Sequence, residues 1–179
     1  MRNNKQSLII ATLLILFGVA MRFIDHPANF APIAAIALFS AVYLPKKMAL
    51  FIPIAAMLLS DLFLGFYEWQ VMLAVYGSFV LAGAFGFYIR KNKNTGTVIA
   101  GSFFASIIFF VFTNLAVWIF SGYYEHTMAG LLYCYTLAIP FFRNTMLGDL
   151  FFVGVLFGSY EMAVYAVKNK FQKTANCKA

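Results

Sequence analysis

Charge is what this chain has least of. Of its 179 residues only 11% are Asp, Glu, Lys or Arg and 63% are hydrophobic, where an average soluble domain carries roughly a quarter of charged residues. Acid is scarcer than base, 6 against 13. No line of carboxylates runs through the apolar segments as a proton relay needs. The two cysteines, Cys134 and Cys177, fall on opposite sides in the topology below, so no intramolecular disulfide is implied. No G-x-x-x-x-G-K-[ST] loop is present, so the chain does not bind ATP in that way. No H-E-x-x-H, G-x-S-x-G or paired Glu-Glu motif points to an intramembrane hydrolase. The chain is not expected to be an enzyme, and no cofactor or metal is implied. An inverted repeat is also missing, which counts against a two-halved alternating-access carrier.

What is there is apolar sequence in long runs. Runs of about 20 residues recur along the chain, the length that crosses a hydrocarbon core of about 30 Å. The expectation is an all-α integral membrane protein, one transmembrane domain over 1–179, with six spans at 7–23, 32–44, 48–66, 70–89, 97–120 and 145–167. The second is short. The apolar stretch 128–142, "MAGLLYCYTLAIPFF", suits an interfacial or re-entrant helix before the last span. The basic and apolar start lacks a small-x-small cleavage site, which reads as an uncleaved first span.

The formal net charge of +7 is a matter of topology. With the N-terminus inside, Arg2, Lys5, Lys46, Lys47, Arg90, Lys91, Lys93, Lys168, Lys170, Lys173 and Lys178 share one side, leaving Arg22 and Arg143 on the other. Eleven of the 13 basic residues thus obey the positive-inside rule. Both termini are expected in the cytoplasm of a bacterial inner membrane, and no nucleic-acid partner is expected. Small residues at four-residue spacing, Ala74, Ser78, Ala82 and Gly86 in the fourth span, Gly154 and Gly158 in the sixth, and Ala37 and Ala41 in the second, allow close helix approach. They serve either packing within the bundle or docking of a partner.

Ionisable groups in a bilayer are functional candidates by default. Arg22, Asp25 and His26 stand in "RFIDHPANFAP", at residues 22–32 on the external side. Asp61 lies in "LLSDLFLGF", with Glu68 and the gap at Gly65 on roughly the same helix face. Asn114 sits one turn from Trp118. Arg143, Asn144 and Asp149 bracket the start of the last span, where Asn144 would cap the helix and Asp149 favour its first turns. Convergence of such groups among aromatic walls is what an external binding chamber needs. The candidate substrate-binding set is Arg22, His26, Asn29, Phe30, Asp61, Trp69, Asn114, Trp118, Arg143, Asn144 and Asp149. Tyr123 and Tyr124 are further aromatics, and 122–142 is a candidate lid hinged at Gly130 and Pro140. The alternative for each is a structural network in which Arg22 or Arg143 neutralises Asp61 or Asp149. Cys134 reads as space-filling, and Glu161 as a partner of a snorkelling lysine or a partner helix, outside the site.

The motifs "HPANFAPIAAIALF", "SDLFLG", "TNLAVW" and "IPFFRNTMLGDLFF" look like those of a bacterial six-span membrane family of uncharacterised function. The layout resembles the substrate-binding S-component of energy-coupling factor vitamin transporters. That resemblance implies capture of a vitamin, precursor or similar small molecule from the external side, with a transmembrane coupling protein and two cytoplasmic ATPases as partners. Two features depart from it. The first span, with Ala11, Gly18 and Ala20, lacks an Ala-x-x-x-Ala face, and Arg2 after Met1 excludes the Met-His start of nickel and cobalt versions. Two other readings stand beside it. One is an assembly protein that binds a partner through small-residue faces. The other is a membrane enzyme on a lipid-like substrate, which needs two of His26, Asp61, Glu125 and Asp149 to meet as acid and base. On the capture reading, Asp61→Asn and Arg143→Ala each weaken ligand binding without unfolding the chain.

Overall fold

The computed structural model describes residues 4–176, with side chains as far as 169. Arg2, Cys177 and Lys178 lie outside the described residues, as do the side chains of Lys170 and Lys173. Among the described residues the fold is all-helical: α1 (Asn4–Phe23), α2 (Ile33–Tyr43), α3 (Lys46–Ala49), α4 (Phe51–Leu64), α5 (Trp69–Lys91), α6 (Thr95–Phe120) and α7 (Met128–Asn176). Five segments are long and apolar enough to cross a membrane: α1, α3 with α4 as Lys46–Leu64, α5, α6, and Met128–Asn169 of α7. Their outer faces carry Leu13, Leu16, Phe63, Leu73, Ile107 and Phe151 exposed, the apolar surface expected of helices that face lipid.

The sixth apolar helix decides the architecture. Helix α2 has 11 residues and so spans roughly 16 Å, about half of a hydrocarbon core. Its sequence IAAIALFSAVY has no polar face, and a helix apolar all round belongs in the interior. Every residue from Ile33 to Val42 is buried, with α5, α7, α4, α6 and α1 packed around it. Close approach needs small residues. A Cβ on Gly86 of α5 would lie 2.6 Å from the Ala41 Cβ, and one on Gly83 2.8 Å from the Leu50 side chain. On α1, a Cβ on Gly18 would stand 3.0 Å from Ile36 and 3.1 Å from Ala56. The α5 stripe and the α2 alanines are therefore packing within the bundle.

Gly154 and Gly158 on α7 differ. Nothing lies within 4 Å of a Cβ added to either. Both face an open hollow of about 560 Å³ between α6 and α7, with Val98, Ile99, Val153 and Phe157 on its walls and Lys93 and Glu161 at its mouth.

Helix ends leave backbone groups that need partners. At the end of α2 the Arg90 Nε donates to the Val42 carbonyl at 3.0 Å, and Arg90 Nη2 donates to that of Leu44. Asn94 starts α6 with a reciprocal cap: its side chain accepts from the Thr97 N–H at 2.9 Å, and the Thr97 hydroxyl accepts from the Asn94 N–H at 3.0 Å. Glu161 pairs with Lys93 and accepts from the Tyr43 hydroxyl at 2.5 Å. The lysine partner comes from the α5–α6 connection rather than from the neighbouring Lys168. These contacts define one basic end of the bundle. Arg22 and Arg143 lie toward the other.

Three local expectations are corrected. The stretch 128–142 is no separate interfacial or re-entrant helix but the opening of α7, which runs on through Pro140 to Asn176. At 49 residues it is roughly 73 Å long. Its first turns lie along the upper part of α6: the Cys134 thiol donates to the Asn114 carbonyl at 3.5 Å, the Tyr135 hydroxyl to that of Val111 at 2.7 Å, and Phe110 meets Phe142 at 4.6 Å. Tertiary packing thereby overrides the break that a proline favours. Asn144 and Asp149, being mid-helix, cap nothing. Lastly, Glu68 does not continue the Asp61 helix face, because α4 stops at Leu64 on Gly65 with φ 98°.

Candidate functional site

The short α2 leaves space above its first turn, and the 24–32 connection folds into it. A Phe30 N–H to Pro27 carbonyl bond of 2.9 Å closes a turn in which Asn29 takes φ 65°. Asn accepts that left-handed conformation more readily than most residues. Phe30 anchors the loop. Its ring lies 5.9 Å from Phe151 and 5.4 Å from Phe152, and a Cβ on Gly148 would sit 3.1 Å from the Phe30 Cα. The Asn144 side chain ties the loop down further by donating to the Ala28 carbonyl at 3.1 Å.

Beneath this loop lies a chamber of two adjoining lobes. The first, of about 210 Å³, has Arg22, Asn29, Tyr67, Thr145 and Asp149 among Phe79, Phe109 and the first residues of α2. The second, of about 220 Å³, lies between α5, α6 and α7 and adds Thr113 and Asn114 to Phe110, Phe141 and Phe142. Asn29, Val75, Phe109 and Thr145 line both. Together the lobes reach the lower range of small-molecule pockets, about 300–1,000 Å³. No side chain caps the α2 N-terminus, so the positive end of its dipole points at the first lobe, where Ile33 and Ala34 line the wall.

Arg22 is the hub on one wall. Its Nη1 donates to Asp61 Oδ1 at 2.6 Å and to Ser60 Oγ at 2.7 Å, with Met57 Sδ at 3.3 Å. Asp61 is 1% exposed, and its second oxygen accepts from the Tyr76 hydroxyl at 2.6 Å. The carboxylate is thus matched in charge and by hydrogen bonds from two other helices. Above it, burial and then the Asp61 charge push the Tyr67 hydroxyl up to about 12, Arg22 acting the other way. Tyr67 therefore stays a neutral donor and acceptor at any physiological pH. On the opposite wall Asp149, 2% exposed, accepts one hydrogen bond, from Ser106 at 2.6 Å.

The candidate residues divide accordingly. Arg22, Asn29, Asn114 and Asp149 line the chamber. Asp61 stands behind Arg22 as its counter-ion. Phe30 and Asn144 hold the loop rather than the chamber. His26 is half-buried beside it, with Nδ1 on the Pro27 carbonyl at 3.0 Å and a buried Nε2 without a hydrogen-bond partner. Trp69 is 65% exposed and belongs to the outer surface, as does the exposed Arg143. Trp118 donates to the Glu125 carbonyl at 2.9 Å and meets the His126 ring, pinning the α6–α7 connection. Tyr123 is exposed. Tyr124 lies near Cys134, where burial and then the thiol raise the phenol. Of the groups weighed for acid–base chemistry, Asp149 lines the chamber and Asp61 is held in its ion pair, whereas Glu125 is exposed.

Tyr67, Tyr76, Ser106, Thr113, Thr145, Phe79 and Phe109 were not singled out from the sequence. For α6 a signal existed: Ser102, Ser106 and Thr113 recur at helical spacing in an otherwise apolar segment and so mark its inward face.

The chain belongs to the family of unknown function DUF6580, whose family profile matches residues 2–174. No curated protein and no solved structure matches it.

Proposed function

We propose that this protein is a membrane-embedded substrate-capture component for uptake of a small organic micronutrient, a vitamin, a precursor or a similar molecule. The observation that carries the reading is the two-lobed chamber under the 24–32 loop, where Arg22, Asn29, Tyr67, Asn114, Thr145 and Asp149 converge among aromatic walls. A few placed polar groups in an apolar, largely preformed cavity are the features of a small-molecule site. The orientation proposed is six crossings in a bacterial inner membrane, with the basic end in the cytoplasm by the positive-inside rule. The chamber then faces outward. Because 128–142 is continuous with α7 and packed on α6, whereas the 24–32 loop lies over the chamber, we place the gate in that loop rather than in 122–142.

Energy for release would come from elsewhere. By the resemblance of its layout to energy-coupling factor S-components, release would draw on a transmembrane coupling protein with cytoplasmic ATPases. The open Gly154–Gly158 face is the surface we assign to it, since small residues without a neighbour admit another helix. The same face favours a second reading, an assembly protein whose task is to bind that partner.

Native mass spectrometry of gently purified protein separates the two. A discrete, releasable small-molecule mass is expected, and titration with vitamins and their precursors should restore it after release. An empty spectrum, together with no binding from that panel, would refute capture and leave the assembly reading.

A further inference from the structure

Charge matching within the chamber is incomplete, and the mismatch has a sign. Two ion pairs occur among the described residues, Arg22–Asp61 and Lys93–Glu161, the second at the far, basic end. Arg22 is the cation on the chamber wall, and its Nη1 is committed to Asp61 and Ser60. Asp149 is left. It is buried at 2% exposure, lines the first lobe, and has one hydrogen bond, from Ser106. A carboxylate offers about four lone-pair sites, and a buried charge without a partner is strongly disfavoured in a bilayer. Tyr67 lines the same lobe and Tyr76 is bonded to Asp61 behind Arg22, and neither supplies positive charge.

We infer that the chamber takes an organic cation carrying N–H donors, an ammonium, amidinium or protonated nitrogen heterocycle, with Asp149 as its counter-ion. The inference rests on the capture reading and names the ligand's chemical class. An anion would meet Asp149 and compete with Asp61 for Arg22. A neutral ligand would fill hydrogen bonds but do nothing to favour the ionised carboxylate over the protonated one. A cation does both, and the aromatic side chains of Tyr67, Phe79 and Phe109 line the same lobe, a residue type that attracts cations. The volume sets the size. At about 210 Å³, below the roughly 300–1,000 Å³ of drug-sized sites, this lobe has room for a single ring with short substituents.

Three probes of one shape and different charge test this: benzamidinium, benzamide and benzoate, titrated by calorimetry into the purified full chain in detergent. Benzamidinium is expected to bind about tenfold or more tighter than benzamide, with benzoate weakest. That preference should shrink to within about twofold in Asp149→Asn and return in Asp149→Glu. The wild-type comparison needs no variant, so misfolding of a substituted chain does not blunt it. Equal or tighter binding of benzamide or benzoate would overturn the charge assignment while leaving a small-molecule chamber intact. So would a cation preference that survives in a folded Asp149→Asn protein. No binding of any probe would overturn the assignment of a single-ring cation to this lobe, while the capture reading is decided by the mass spectrometry and vitamin panel above.

Discussion

Replacing Arg22 by Met removes one partner of a buried ion pair and leaves the other in place. Arg22 Nη1 reaches Asp61 Oδ1 at 2.6 Å, and the side chains are 20% and 1% exposed. Breaking such a pair from one side costs about 3–5 kcal/mol, because the remaining charge is stranded. The adjoining chamber and the surviving Tyr76 hydrogen bond place the expected loss near the lower end, about 3 kcal/mol. For a chain of this length each kcal/mol moves the midpoint by roughly 2–4 °C, so Tm should fall by about 6–12 °C. Thermal unfolding in detergent, followed by tryptophan fluorescence, reads this directly. The double variant Arg22→Met with Asp61→Asn is the decisive control. The substituted amide would still accept from the Tyr76 hydroxyl but strand no charge, so the double variant should lose less than Arg22→Met alone, about 1 kcal/mol. An Arg22→Met loss below about 0.5 kcal/mol, or a double-variant loss equal to the sum of the single ones, would refute the reasoning. The same geometry revises the expectation drawn from sequence: Asp61→Asn should act first on stability, and ligand binding should change through Arg22.

Other outcomes follow from particular contacts. Arg143→Ala, at an exposed position outside the chamber, should leave ligand affinity unchanged and stability within about 0.5 kcal/mol of wild type; a tenfold loss of affinity would return Arg143 to the site. Gly86→Val should cost about 1–3 kcal/mol or more by driving a side chain into Ala41 and Leu38. Gly154→Val, into open space, should leave stability within about 0.5 kcal/mol but abolish co-purification of a coupling partner; equal stability losses in both would contradict the packing described. Asn94→Ala, which removes the α6 cap, should destabilise by about 1 kcal/mol in denaturant titration. In an ultraviolet titration, Tyr67→Phe should remove a phenol that ionises near pH 12 rather than 10. The folded state holds that proton more tightly than the unfolded one, so the Tyr67 contribution to stability is constant below pH 10 and is lost as pH rises through 10 to about 12.

Apolar runs and the bias of lysine and arginine pointed, without any structure, to a chain of long apolar helices with a basic end and a polar, weakly charged end, and five helices are long and apolar enough to cross a membrane. Both signals are local or additive, and neither depends on which helix touches which. The shortness of the second apolar segment was legible too, as were Arg22, Asn29, Asn114 and Asp149 as inward groups, because an ionisable or amide side chain in such a chain has few other places to go. What that shortness does was decided only by packing. An 11-residue helix at the centre leaves a vacancy over its first turn, and the 24–32 loop and chamber occupy it. Which arginine pairs with which aspartate was equally a tertiary matter: Arg22 and Asp61 are 39 positions apart, and sequence offered Arg143 as an equal choice. The course of α7 through Pro140 was misread because proline's helix-breaking tendency is a local preference, which contacts from α6 outweigh. The two small-residue stripes look alike in sequence, yet a Cβ added at Gly86 would lie 2.6 Å from Ala41 of α2 whereas one added at Gly154 or Gly158 would meet nothing within 4 Å, since small-residue spacing encodes how closely a helix can be approached and not whether a neighbour is there.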